Sequence, residues 1–419
     1  MDDLLFLAHR IPYPPDKGDK IRAYHLLRFL SQRYRIHLAA FVDDPADWVH
    51  ESALRALCAG SLRLISLDAR TRKFLSLSAL WRGEPLTLRY YPRQPLQGWI
   101  DNLLQYHPIR KALVFSSGVA PFLSGPRYAP LRRVMDFVDV DSQKWTQYGQ
   151  MHGGPLGWLY RREGVRLLAA ERALAAEFDA SLLVSPEEAA LFRELAPESA
   201  AKIGFWELGV DADHFNPALP FANPYGPGGP PLLFLGAMDY RANVDAVVWF
   251  AREIWPLVRR ETPAARFFIV GRHPTPEVRT LGALEGVFVS GGVADPRPHL
   301  AHAAVALAPL RVARGVQNKV LQAMAMGVPT AATRQAMEGI HLSPALRERP
   351  GVSGVEAEPQ AFARLTLRRM AEGRGVGTDM QRQWMMRRYA WEENLKRVLP
   401  VLEGELPGDF SPEGLDFFP

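Results

Sequence analysis

Residues 216–237 read NPALPFANPYGPGGPPLLFLGA, and this stretch decides the architecture. Asn216 to Pro231 holds six prolines and three glycines, which excludes a helix interior or a central strand and predicts a linker. Leu232-Leu233-Phe234-Leu235-Gly236-Ala237 then forms a short buried-strand run ending in glycine. Leu4-Leu5-Phe6-Leu7-Ala8-His9 does the same near the amino terminus, and each run leads through a polar loop into an amphipathic helix. Two similar halves are implied.

In the first half the spacing of Leu26, Leu27 and Leu30 predicts a helix over Arg22 to Gln32, followed by a strand at Ile36 to Val42. Apolar runs at Leu62 to Leu67, Ala112 to Phe115, Val134 to Val138 and Ala180 to Val184 extend the alternation. The second half predicts a helix at Asp245 to Arg260 and strands at Arg266 to Val270, Val287 to Val289 and Ala304 to Ala308. A helix at Asn318 to Met326 and a strand at Pro329 to Ala332 complete it. Alternation of this kind predicts two α/β, doubly wound, Rossmann-like domains with parallel sheets, and ligands beyond the carboxyl ends of the strands, in a cleft between the halves. The expected boundaries are residues 1–215, a linker at 216–231, a second domain at 232–380, a helix at 381–405 packing back on the first domain, and a tail at 406–419.

The chain has 419 residues, 47% of them hydrophobic and 23% charged, which excludes a disordered chain or a coiled coil. Lys plus Arg exceed Asp plus Glu by 50 to 45, a mild field that favours anionic partners. Cys58 is alone, so neither an internal disulfide nor a cysteine metal cluster can form, and a buried core role is expected. Met1-Asp2-Asp3 lacks the basic start of a signal peptide, and no apolar run reaches the ~18 residues of a membrane span, so a cytoplasmic protein is expected. His9, His25, His107, His152, His273 and His299 lack metal-ligand spacing, and no metal site is assigned.

The informative residues follow strand ends. Gly271-Arg272-His273-Pro274 and Pro309-Leu310-Arg311 are two such loops, and Arg314-Gly315-Val316-Gln317-Asn318-Lys319 opens a helix. A helix start offers free N–H groups and the positive end of the dipole, Gly315 would allow close approach, and Arg311, Arg314 and Lys319 add charge. A phosphate-bearing ligand is one reading. A solvated basic helix start with Asn318 as cap is the other.

The string from Pro309 through Arg314-Gly315-Val316-Gln317-Asn318-Lys319 to Gly327-Val328-Pro329 resembles the nucleotide-sugar motif of GT-B retaining glycosyltransferases of the family-4 type. Within that family it looks similar to sugar transferases of exopolysaccharide and PEP-CTERM clusters. Tyr13 to Arg22, Phe137 to Trp145, and Gly236 to Tyr240 with Asn243-Val244-Asp245 extend the resemblance over residues 4 to 395. It implies a GT-B fold, with two domains facing across a cleft and a final helix crossing back. It further implies retention at the anomeric carbon, a nucleoside-diphosphate-sugar co-substrate, no other cofactor, and a glycan or lipid-linked glycan acceptor.

Where the family carries two glutamates eight positions apart, this chain has Arg314 and Gln322; Gln322 keeps donors and acceptors for a ribose, while Arg314 would face the diphosphate or an acidic sugar. The departure leaves open a non-catalytic nucleotide-binding scaffold, and a nucleotide-sugar epimerase on a related two-Rossmann scaffold is the other alternative. By resemblance, Asp139, Arg314 and Lys319 are the catalytic candidates. Gly18, Gly236, Asp239, Asn243, Arg272, Arg311, Gly315, Gln317, Asn318 and Gln322 would line the donor, with Glu338-Gly339-Ile340 at its rim. Lys17, Asp19, Lys20, Arg22 and Asp141 would lie on the acceptor or sugar side. Asp136, Asp139 and Asp141, clustered after one strand, could equally be turn and cap chemistry.

Two basic-aromatic segments, Arg72 to Arg93 and Trp145 to Arg162, suit an anionic membrane interface, with Arg161 and Arg162 as headgroup contacts, or else helix packing with a solvated edge. Nucleic acid is not expected, because no recognition helix or stacking platform accompanies them.

Overall fold

The computed structural model describes residues 1–15, 18–94, 96–313, 316–340, 342, 346 and 351–408. The chain divides into two compact units, Met1–Glu207 with the described residues from Asn394 onward, and Leu208–Glu393.

The first unit is built on a seven-stranded sheet of β1 (Asp2–Ala8), β2 (Tyr34–Val42), β3 (Leu62–Ser66), β4 (Lys111–Phe115), β5 (Arg132–Val138), β6 (Ala180–Leu183) and β7 (Ile203–Phe205), in the order β3-β2-β1-β4-β5-β6-β7. Every pairing is parallel. Continuous burial along β1, Leu4 to Leu7 at 1% exposure or less, is what a strand covered on both faces requires. Phe41, Phe122, Phe137 and Phe192 pack in the core. Each such ring contributes roughly 1.5–3 kcal/mol on burial.

The second unit has six parallel strands, β8 (Pro231–Leu235), β9 (Arg266–Val270), β10 (Val287–Gly291), β11 (Val305–Ala308), β12 (Thr330–Thr333) and β13 (Val352–Val355), in the order β10-β9-β8-β11-β12-β13. Its own core joins Phe234, Phe250, Trp255, Phe267 and Phe362. The helix expected over Asp245 to Arg260 is real but interrupted: Arg241–Trp249 runs into a π turn at Phe250–Ile254 before Trp255–Glu261. Pro256, which has no N–H to give, explains the break.

Two expected boundaries are corrected. The segment 216–231 belongs with the second unit and does not bridge the two, because the Arg266 guanidinium donates to the carbonyls of Tyr225 (2.7 Å), Pro227 (3.3 Å) and Gly229 (3.1 Å). Proline and glycine prevent regular structure there without preventing attachment. The return to the first unit begins at Asn394 and not at residue 381. Helix Val376–Tyr389 stays with the second unit, where Trp384 and Tyr389 enter the core and Arg382 donates to the Ala325 carbonyl at 2.7 Å. Helix Val398–Glu403 joins the first unit, its Val401 carbonyl accepting from Arg132 at 2.9 Å and its Glu403 carboxylate from Lys111 at 2.6 Å. Among the described residues no helix is long and apolar enough to cross a membrane.

Candidate functional site

In the second unit β8 and β11 are neighbours, and the strand order reverses between them. Such a switch point opens a crevice at the carboxyl ends of the strands. Gly236 follows β8 there, Pro309 to Arg311 follow β11, and helices Arg241–Trp249 and Asn318–Ala325 begin beyond. The second helix buries Val320, Leu321, Ala323 and Met324, so its period leaves Asn318, Lys319 and Gln322 half-buried off the core face.

Lys319 Nζ donates to Asn243 Oδ1 at 2.6 Å, and Asn243 Nδ2 donates to the Ala237 carbonyl at 3.0 Å. The ammonium also lies 4.3 Å from the Phe234 ring centroid. Among the described residues no carboxylate pairs with it, and burial pushes the Lys319 pKa down to about 7. A cation held by an amide oxygen and a ring face lacks a counter-charge, which an anionic ligand would bring. The loops close tightly around it. A Cβ on Gly236 would fall 2.6 Å from Asn243 Nδ2, and one on Gly271 would fall 1.6 Å from the Gly236 carbonyl oxygen.

Other donor-side expectations fare differently. Arg311 is engaged by Asp245, its Nε donating to Oδ2 at 3.0 Å, so its charge is partly neutralised within the unit. Gln317, not Asn318, is the residue preceding the helix, and its side chain makes no cap bond. The cap expected of Asn318 is therefore corrected: Asn318 is the first helical residue, and its Oδ1 is buried without a partner among the described residues. Asp239 and Arg272 are exposed, and the Arg272 carbonyl accepts from the Met238 N–H at 2.8 Å. Glu338 is exposed, whereas Gly339 and Ile340 are buried. Arg314 and Gly315 lie outside the described residues, as does Lys17.

The first unit has its own switch point, between β1 and β4. His9 leaves β1 there, its ring stacked on Phe115 at 5.9 Å and its Nε2 3.2 Å from Asp19 Oδ2. Arg10 bridges Asp19 (2.6 Å) and Asp43 (2.9 Å). Burial alone would raise the Asp19 carboxyl; the hydrogen bond with His9 and the Arg10 charge outweigh it and hold Asp19 well below the usual carboxylate range. Gly18 starts helix Gly18–Ser31 in open space, with nothing within 4 Å of an added Cβ. At the end of β5 the chain turns through Val138, whose φ of 69° is unusual for a β-branched residue. Asp139 follows, half-buried, and burial pushes its carboxyl up, with Lys144 opposing and Asp141 adding to the shift. Asp141 itself accepts from Lys144 at 3.0 Å.

Two acceptor-side expectations are corrected. Lys20 is 3% exposed and bonded to Asp47 at 2.6 Å. Arg22 is fully buried: it donates to both Asp136 oxygens (3.1 and 3.2 Å) and to the carbonyls of Trp206 (2.8 Å) and Leu183 (3.2 Å), with its guanidinium 3.4 Å from the Trp206 ring centroid. Asp136 further accepts from Trp206 Nε1 (2.9 Å) and the Val138 N–H (3.0 Å). These groups join helix Gly18–Ser31 to the carboxyl ends of β5, β6 and β7 and are not open to a substrate.

Among the described residues Asp3, His37 and His107 place one potential metal-ligand atom each within 4.8 Å of one another. The Ser61 N–H donates to His37 Nδ1 at 3.1 Å, which puts the ring proton of neutral His37 on Nε2. That is the atom facing Asp3, at 3.7 Å, so a cation would find no lone pair there. Burial lowers the His37 pKa, which keeps the ring neutral.

Metal-ligand spacing does not single out His9 or Arg10 in the sequence. Their signal was position: they directly follow a strand run, where ligand-facing residues sit.

Residues 229–371, within the second unit, match the family described as glycosyl transferases group 1. No curated protein matches the chain. Among solved structures the chain is similar to Anabaena HepE in complex with UDP-glucose, at 12% identity and TM-score 0.64, covering 97% of this chain and 100% of that one. It is similar to WaaG, a glycosyltransferase involved in lipopolysaccharide biosynthesis, at 16% identity and TM-score 0.64, covering 96% and 100%. A glycosyltransferase from Rickettsia africae gives 12% identity and TM-score 0.63, covering 96% and 98%. At these identities the likeness establishes the fold, GT-B, with two parallel-sheet Rossmann-like domains.

Proposed function

We propose that the protein transfers a sugar from a nucleoside-diphosphate-sugar to a hydroxyl of a glycan acceptor. The observation that carries this is Lys319, a desolvated ammonium without a carboxylate partner among the described residues, held by Asn243 at the switch point of the group 1 domain. HepE binds UDP-glucose in the structure named above, which supports a uridine carrier.

In the transfer, the acceptor oxygen bonds to the anomeric carbon while the bond from that carbon to the diphosphate oxygen breaks; the departing diphosphate takes the electron pair and its freed oxygen accepts the proton that the acceptor hydroxyl loses. Lys319, protonated by the arrival of the diphosphate, neutralises the developing charge together with the N–H groups opening its helix. Gln322, one turn further along the same half-buried face, would serve a ribose hydroxyl. In this reading the charge balance needs no metal, and activity is expected to persist in EDTA. The configuration at the anomeric carbon is retained. The acceptor is a lipid-linked glycan in exopolysaccharide or cell-surface glycan synthesis, met from the cytoplasmic side.

The test is a panel of nucleotides and nucleotide-sugars in thermal shift, followed by NMR of the product formed with the stabilising donor. A ligand at 100 times its Kd raises stability by about 2.7 kcal/mol. Stabilisation by a nucleotide-sugar with release of free nucleoside diphosphate supports transfer. Stabilisation without release on any offered acceptor supports a binding scaffold, and conversion of the donor sugar without an acceptor supports an epimerase.

A further inference from the structure

Large apolar side chains stand in solvent on one face of the first unit. Helix Ala69–Ser76 and the short helix Ala79–Arg82 expose Phe74 (75%) and Trp81 (89%), with Leu75 and Leu77 beside them. Helix Gly154–Glu177 exposes Trp158 (56%) and Val165 (68%). The two segments are fastened together. Arg162 donates to the carbonyls of Ala79 (3.1 Å) and Glu84 (3.2 Å), and fully buried Glu163 accepts from the N–H groups of Leu86 (2.8 Å) and Thr87 (2.9 Å). Trp158, Arg162 and Val165 are four and three residues apart, so the exposed ring and the exposed valine share the helical face that carries the fastening arginine.

The charge around this face is mainly positive, with exposed Asp68 capping helix Ala69–Ser76. Between residues 69 and 93 stand Arg70, Arg72, Lys73, Arg82, Arg89 and Arg93 against the single acid Glu84. Lys73, Arg82 and Arg166 are exposed and make no ion pair among the described residues. The structure separates these from arginines that serve the fold. Arg72 donates to the carbonyls of Tyr90 (2.8 Å) and Arg89 (3.3 Å), Arg161 to the Gly149 carbonyl (2.7 Å), and Arg162 as above. Tyr148 and Tyr160 pack on Trp145, and His152 on Tyr160. The sequence expectation that Arg161 and Arg162 meet headgroups is thereby corrected.

We propose that this face docks on an anionic phospholipid bilayer, with Phe74 and Trp81 entering the headgroup layer and Lys73, Arg82 and Arg166 meeting lipid phosphates. Amphipathic indole and apolar side chains ringed by cations match that interface chemically. Leu75, Leu77 and Val165 would have no use against a phosphodiester backbone, which favours lipid over nucleic acid. The docking deepens the proposed transfer by naming the surface that brings the enzyme to a lipid-linked acceptor, and it rests on that transfer only for its purpose.

The experiment is co-sedimentation of the full-length protein, without donor or acceptor, with vesicles of phosphatidylcholine alone and of equal parts phosphatidylcholine and phosphatidylglycerol. Binding is expected to the anionic vesicles only, and to weaken as salt rises. K73Q with R82Q is expected to weaken it roughly 30-fold at low salt. F74S with W81S is expected to abolish it, with the melting temperature unchanged because both side chains stand in solvent. R162Q serves as the contrast: it lowers the melting temperature by freeing the Ala79 and Glu84 carbonyls. Equal binding to both vesicles, or binding indifferent to F74S/W81S, overturns the proposal. So does concentration-dependent self-association that F74S/W81S removes, which would assign the face to a second copy of the chain. Nucleotide affinity is read separately, so failure of docking leaves the transfer standing and failure of nucleotide binding leaves the docking standing.

Discussion

Lys319 Nζ rests 2.6 Å from Asn243 Oδ1, so two helices that begin at the same switch point share one hydrogen bond across 76 residues of chain. Asn243 is in turn fixed by the Ala237 carbonyl just after β8. The ammonium is therefore oriented before any ligand arrives. Lys319→Ala should weaken nucleoside diphosphate binding by about 1.5–3 kcal/mol, the range for one charge-assisted hydrogen bond, and leave the fold intact. Calorimetry with UDP checks the first statement and a melting curve the second.

Acidity gives an independent reading of the same lysine. Its pKa of about 7 in the free protein rises when a diphosphate binds beside it. Affinity that depends on the protonated form is fully present below pH 7 and falls as pH climbs above that value. Stability has the opposite sign: the folded pKa lies below the 10.5 of a free lysine, so the wild type gains on Lys319→Met as pH rises from about 7 to 10.5. Nucleotide affinity and denaturation curves measured across this range for both proteins test the two signs.

Gly236 is a position where an added methyl group fits only if the Asn243 side chain moves. Gly236→Ala would press a methyl group against Asn243 Nδ2. The expected result is loss of the Asn243–Lys319 geometry, with nucleotide affinity falling by about as much as in Lys319→Ala and a stability loss of roughly 1–3 kcal/mol from overpacking. Affinity unchanged in a folded Gly236→Ala protein would separate this loop from the site.

Gln322→Glu tests the departure from the family pattern. If position 322 faces a ribose, a carboxylate accepts more strongly than an amide and binding is kept or tightened. A large loss of UDP affinity with an unchanged melting transition would place position 322 near the diphosphate instead.

In the first unit, Arg22→Met should be structural in its effect. It leaves Asp136 charged and fully buried with Trp206 Nε1 and the Val138 N–H as its remaining donors. Removing one partner of a buried pair costs about 3–5 kcal/mol, and urea denaturation should read that loss.

Much of this was legible in the sequence for a physical reason: a strand buried on both faces must be apolar throughout, so β1, β8 and β11 announce themselves; Gly236 directly follows β8, and Asn243 and Lys319 stand in the first turns of the helices that come after β8 and β11. Strands β7 and β13, three and four residues long, carry too little pattern to stand out. The Lys319–Asn243 bond was hidden because no local pattern encodes a contact across 76 residues. Arg22 carries a signal of its burial in the sequence. It stands four and eight residues before Leu26 and Leu30, on the apolar stripe of its own helix, where a charge must find buried partners. Asn216 to Pro231 has the pattern of a linker because proline speaks only about local backbone, whereas the Arg266 guanidinium that gathers its carbonyls comes from β9.

The most direct test of nucleotide binding at Lys319 is titration calorimetry of UDP into the full-length wild type and Lys319→Met, each in two buffers of different ionisation enthalpy at pH about 8, above the lysine's free pKa. The expected result is that the wild type takes up a proton on binding, close to one per UDP, and that Lys319→Met binds more weakly with no uptake. Equal affinity and equal proton uptake in the two proteins would contradict a diphosphate at Lys319.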